Sequence, residues 1–107
     1  MIVEMREYTL HYQKVPEFLK IYEEHGLPIQ RPILGHLVGY FVTEVGVQNE
    51  VVHLWAYDDF AERDARRAKL AAEPGWKEFM GKIQPLILTQ QTRIMRPAPF
   101  FDLSGGA

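Results

Sequence analysis

At 107 residues the chain has material for one domain and little for a second. Its 47% hydrophobic and 24% charged residues fit a packed globular chain rather than a disordered one. Twelve basic against fourteen acidic residues leave a formal charge of -2, without the basic excess of a nucleic-acid binder. The densest basic stretch, Arg63 to Lys69, is interrupted by Asp64 and follows a helical pattern, so it reads as a solvated face. The absence of cysteine excludes disulfides, thiolate chemistry and cysteine-ligated zinc within the chain.

Ile2 to Leu10 alternates as a strand, with Val3, Met5, Glu7 and Thr9 on one face and Glu4, Arg6, Tyr8 and Leu10 on the other. Val15 to Glu24 has helical spacing, with Val15, Phe18, Leu19 and Tyr22 as its apolar stripe. Gly26 and Pro28 predict its stop, and the linker through Pro32 is expected to be irregular. Leu34 to Val45 returns to strand, with Gly39 marking a bulge or a close approach.

Glu50 to Tyr57 is the most informative strand. Val51, His53, Trp55 and Tyr57 share one face; Val52, Leu54 and Ala56 share the other. The purely apolar set is expected to lie in the core. The amphipathic set is then expected on the face that the chain's own helices do not cover. Setting Thr43 opposite Val51 places Gly39 opposite Trp55, leaving room for the indole; a one-residue slip puts Tyr40 there instead and exchanges the faces.

Asp58 or Asp59 caps a helix that runs to about Ala72, and Glu62 and Arg66 stand four apart on it. After Pro74 and Gly75, the helical spacing resumes through Trp76, Phe79, Met80 and Ile83. The last strand is Leu86 to Met95, closed by Pro97 and Pro99. Phe100 and Phe101 need a docking place, for which a neighbouring subunit is the expectation. Residues 102–107 are expected to be a disordered tail beyond a single domain spanning 1–101.

The element order gives an α+β fold, a ferredoxin-like βαββαβ antiparallel sheet with helices on one face. Its open face is expected to hold Arg6, Tyr8, Phe41, His53 and Trp55, and to be covered by a second copy in a two-fold dimeric α/β barrel.

Three segments carry a family resemblance: Leu37 to Glu44 (LVGYFVTE), Val51 to Asp58 (VVHLWAYD) and Arg93 to Phe100 (RIMRPAPF). With the opening Glu-Met-Arg-Glu-Tyr-Thr-Leu, they resemble NIPSNAP proteins over about Ile2 to Phe101. The resemblance implies the dimeric α/β-barrel superfamily and little about chemistry. Superfamily relatives include antibiotic-biosynthesis monooxygenases and haem-degrading enzymes, whose third strand carries a tryptophan at the cavity. Trp55 matches that position in pattern, and Arg6 matches a polar partner on the first strand.

The four histidines, at positions 11, 25, 36 and 53, show no metal-ligand spacing, and no cofactor is expected. Haem would need an axial ligand that no histidine here is placed to supply. No phosphate loop and no Gly-x-Ser-x-Gly elbow occurs.

These readings leave two functional classes. One is a homodimer that binds a small planar or aromatic molecule, with Tyr8, Phe41, Trp55 and Gln90 as binding residues. In an enzyme of this class His53 is the expected base and Arg6 stabilises negative charge, for proton transfer or cofactor-free oxygenation. The bland reading of His53 is a neutral, hydrogen-bonded core histidine. The other class is a non-catalytic carrier or protein-interaction dimer with a filled interior. No run reaches the ~18 to 20 apolar residues of a membrane span, and no leader precedes the first strand, so neither a membrane nor a nucleic-acid partner is expected and the cytoplasm is the expected location.

Overall fold

The computed structural model describes residues 1–103. Four strands, β1 (Ile2–Leu10), β2 (His36–Val42), β3 (Glu50–Tyr57) and β4 (Ile87–Met95), form one antiparallel sheet in the order β2-β3-β1-β4. Four helices, α1 (Val15–Ile21), α2 (Leu27–Leu34), α3 (Phe60–Ala72) and α4 (Pro74–Ile83), pack on one face. This is the expected α+β, ferredoxin-like βαββαβ arrangement. The expected tail falls partly on residues 104–107, which lie outside the described residues.

The first helical region is longer than its stop signals predict. Instead of ending at Gly26, the chain makes a π-helical turn over Tyr22–Gly26 and continues through the proline-rich linker as α2. Pro28 lies in the first turn of α2, where its missing N–H costs nothing. Gly26 is retained for space: a Cβ there would lie 2.6 Å from the Phe79 ring of α4. The true C-cap is Gly35, at φ 90°.

The face assignment of β3 is reversed. Trp55 lies beneath the helices with 0% exposure, in a cluster with Ile2, Leu34, Tyr57 and Leu70. Val51 joins a second cluster with Leu10, Phe18, Tyr22, Phe79, Ile83 and Leu86. Val52 and Leu54 are half-buried on the uncovered face. The aromatic side chains of β3 thus face the chain's own helices, with Trp55 bonded to His53 on the same strand and the Tyr57 hydroxyl without a partner among the described residues.

Neither expected register of β2 on β3 is formed. Val42 pairs with Val51, Tyr40 with His53 and Gly39 with Leu54, and a shift at Val38 sets Leu37 opposite Trp55. Gly39 makes room for a different ring, because a Cβ there would lie 2.5 Å from Phe41. At the start of α3, Asp59 Oδ1 accepts from the Glu62 N–H at 2.8 Å and Glu62 Oε2 accepts from the Asp58 N–H at 2.9 Å. Glu62 also pairs with Arg66 at 2.9 Å, as its spacing predicts.

Candidate functional site

β1 and β3 place the chemistry-bearing residues at the middle of the helix-covered face. Pairing of Arg6 with His53 and Tyr8 with Val51 brings Glu4, Arg6, Tyr8, His53 and Trp55 onto adjoining positions. Tyr40 reaches them from β2. The aromatic groups form a continuous array: Tyr40 stacks on His53 with ring centroids 4.6 Å apart, and Tyr22 stacks on Tyr40 at 4.7 Å. Tyr8 meets the His53 ring edge-on at 5.0 Å.

His53 is fixed by its neighbour two residues along. Trp55 Nε1–H donates to His53 Nδ1 at 2.7 Å. An indole N–H only donates, so Nδ1 is the acceptor and the neutral ring carries its proton on Nε2. Burial disfavours the imidazolium, the charges of Arg6 and Arg67 oppose it further, and the pKa falls from 6.5 to about 3. His53 is therefore a neutral hydrogen-bond donor in this arrangement, where the sequence reading offered it as a base. Its Nε2 has no protein partner among the described residues.

His53 borders a void of about 10 Å³ that Tyr8, Tyr22, Gln30 and Tyr40 also line. That volume suits one water molecule, and the lining offers the polar partners a buried water needs. Tyr22 O–H donates to Gln30 Oε1 at 2.6 Å across the π-helical turn, so this turn and α2 close the void from the helix side. Burial pushes the hydroxyl pKa values of Tyr22 and Tyr40 up, so both remain protonated donors near neutral pH.

Beside this array is a charged cluster that sequence reasoning did not assemble. Glu4 is fully buried and its carboxylate accepts from three arginines. Arg63 reaches Oε2 through NH2 at 2.8 Å and Nε at 3.2 Å; Arg67 Nε reaches Oε1 at 2.9 Å. Arg6 NH1 reaches Oε2 at 3.2 Å, while its Nε donates to the Tyr8 hydroxyl at 3.1 Å. Burial alone would raise the Glu4 pKa, but hydrogen bonding from Arg63 and the charges of Arg67, Arg6 and Arg63 outweigh it and hold it low. Glu4 and Arg6 share a face in the strand pattern. Arg63 and Arg67 stand four apart on α3, which was the available signal for a common partner.

The other expected site residues divide between the faces. Gln90 lies opposite Tyr8 on the helix side, exposed along β4. Phe41 lies on the opposite side of the sheet, 58% exposed, and does not join the site. On that side the segment after β4 crosses the sheet, and Val3, Val38, Leu54, Met95, Pro97 and Phe101 line an apolar groove of about 280 Å³. Phe101 thus docks on its own chain, whereas Phe100 stays 91% exposed. Among the described residues there is no cluster of three or more His, Asp or Glu able to hold a metal, and no helix long and apolar enough to cross a membrane.

This sheet, with helices on one face, is the scaffold of an antibiotic biosynthesis monooxygenase crystal structure. That protein superposes at a TM-score of 0.66 over 92% of this chain and 100% of the other, with 16% identity. This likeness shows a shared fold and no shared reaction.

The chain belongs to the NIPSNAP family, whose model matches residues 3–102. A NIPSNAP family protein of Agrobacterium tumefaciens is 45% identical at a TM-score of 0.93, covering 96% of this chain and 93% of that one. A NIPSNAP-like domain protein of Burkholderia xenovorans is 47% identical at 0.92, covering 94% and 88%. Human NipSnap homolog 3A is 36% identical over 102 residues, which are 94% of this chain and 40% of the human protein. The chain thus spans less than half the length of that relative.

Proposed function

We propose that the chain forms a homodimer through the uncovered sheet face and that each subunit receives a small planar molecule on the helix-covered face, at His53. The observation that carries the ligand reading is the buried Nε2–H of His53, which has no protein partner among the described residues. Native proteins seldom leave such a donor unused, and a ligand oxygen would satisfy it. Tyr8, Tyr40 and Trp55 supply flat walls and a fixed imidazole, while Arg6 supplies positive charge through its contact with Tyr8.

Donation from Nε2 to a carbonyl oxygen polarises it and favours the enolate or phenolate over the neutral form. Arg6 adds to this without giving up a proton. That stabilises the anion of a planar, electron-rich substrate whose proton has left to solvent, on a scaffold that monooxygenases share. Entry must displace the Tyr22–Gln30 pair, which spans the π-helical turn between α1 and α2.

The small interior supports a second reading. A void of about 10 Å³ is close to filled, as a non-catalytic carrier or interaction dimer requires. Native mass spectrometry of small molecules retained through purification separates the two. The ligand reading expects an aromatic or otherwise planar compound in the wild type that is lost from His53→Gln. Protein that retains nothing, and binds nothing from a panel of planar enols and phenols, supports the filled interior.

For the dimer, support comes from the uncovered face. Val38 and Phe41 are exposed there, Met5, Val52 and Leu54 are half-buried, and the groove beside them is apolar. The cytoplasm remains the location we propose.

A further inference from the structure

We infer that the molecule received at His53 carries an acid group, which is held by Arg6 and Arg67 of the cluster beside the void. This rests on the proposed ligand site and adds the chemical class of its occupant.

The Glu4 carboxylate receives four donations, from Arg6 NH1, Arg63 Nε, Arg63 NH2 and Arg67 Nε. Three of these fall on Oε2, which has no further lone pair to offer, and one on Oε1. Each guanidinium has five N–H donors. Arg63 uses a third nitrogen on Asp64, with NH1 at 3.1 Å from Oδ1. Among the described residues Arg67 NH2 is buried without a hydrogen-bond partner, and Arg6 donates through Nε and NH1 alone.

One arginine is enough to neutralise Glu4, and three held together repel one another in a partly desolvated setting. Asp64 is largely exposed and offsets only part of the excess. A second anion placed among the guanidiniums relieves that repulsion and accepts the remaining hydrogens.

Tyr8 lines the void, accepts from Arg6 Nε and lies beneath the Arg6 guanidinium, whose carbon is 5.7 Å from the ring centroid. The arginine side chains are 17 to 22% exposed but Arg67 NH2 itself is buried, so an anion meets it inside the cluster rather than at the surface. Across β1, exposed Gln90 and Thr92 flank Tyr8 and Arg6 on the same face, leaving an approach along β4. A flat ring at His53 with an acid substituent toward Arg6 spans both features.

Benzoate and benzamide share a ring and differ in charge, which makes them the test pair. They are titrated into the full chain while the amide and side-chain resonances of Tyr8, His53, Arg6 and Arg67 are followed by NMR. Benzoate is expected to shift these groups and to bind at least about tenfold more tightly than benzamide, the difference of one charge-assisted contact. Arg67→Gln removes the preference, as does Arg6→Gln; each leaves two arginines on Glu4, so folding is retained. Arg66→Gln, which alters a residue bound to Glu62 and to the Ile33 carbonyl, leaves the preference intact. Equal binding of both compounds at His53 overturns the acid group while preserving the planar site. Shifts confined to other surfaces, or no shifts, overturn both.

Discussion

Acidification singles out His53. Its pKa is 6.5 as a free side chain and about 3 when buried beside Arg6 and Arg67, so the unfolded chain takes up a proton that the folded chain refuses. Folding therefore keeps its full stability above pH 6.5 and loses it as the pH falls from there toward 3. Linkage for one such group gives a loss of about 2 kcal/mol between pH 7.5 and pH 5. His53→Gln keeps a polar group at the position and removes the titration. Urea denaturation of both proteins at pH 7.5, 6 and 5 measures the effect. The wild type is expected to lose about 2 kcal/mol more than the variant by pH 5. Equal losses in the two proteins would mean that His53 is protonated or solvated in the fold, and would remove the neutral-donor role.

Three further substitutions probe the packing around the site. Glu4→Gln leaves three guanidiniums without their carboxylate and is expected to cost roughly 3 kcal/mol in urea denaturation at pH 7.5; raised salt should recover part of it. Gly26→Ala puts a methyl 2.6 Å from the Phe79 ring and is expected to cost about 1 to 3 kcal/mol by the same measurement, as overpacking does. Trp55→Phe removes the N–H that fixes Nδ1 of His53, so imidazole nitrogen NMR should show a mixture of tautomers where the wild type shows one.

The strands were legible because alternation is a local property. Ile2 to Leu10 matches β1 as observed, and the Glu50 strand matches β3. Asp59, Ala72 and Ile83 fall at helix ends where cap residues and apolar spacing placed them. Two features depended on tertiary contacts. Gly26, Pro28 and Pro32 read as a stop, yet packing of Gly26 under Phe79 carries the chain through a π-helical turn into α2. Tertiary contacts also chose the face of β3. His53, Trp55 and Tyr57 resemble an interface because their polar tips need partners, and part of that need is met within the site itself, where Trp55 bonds His53. Alternation identifies which residues share a face, but not which face the helices take.

The site was partly legible for the same reason. Arg6, Tyr8, His53 and Trp55 were correctly grouped, since strand parity holds whichever side is covered. Phe41 was grouped with them only through the choice of register, and one residue of shift moves it to the other side. The arginines of α3 looked like a solvated face because each is charged. Glu4, 59 residues away from Arg63 in sequence, gives two of them a buried partner.

The division of the sheet into a ligand side and a partner side is decided by sedimentation equilibrium on the wild type, Phe41→Asp and His53→Gln at micromolar concentration. The chain mass is 12.4 kDa, and the wild type and His53→Gln are expected at twice that value. Phe41→Asp, which places a charge on the uncovered face, is expected to sediment as the single chain. A wild type that sediments as one chain, or a His53→Gln protein that dissociates while Phe41→Asp stays paired, would contradict it.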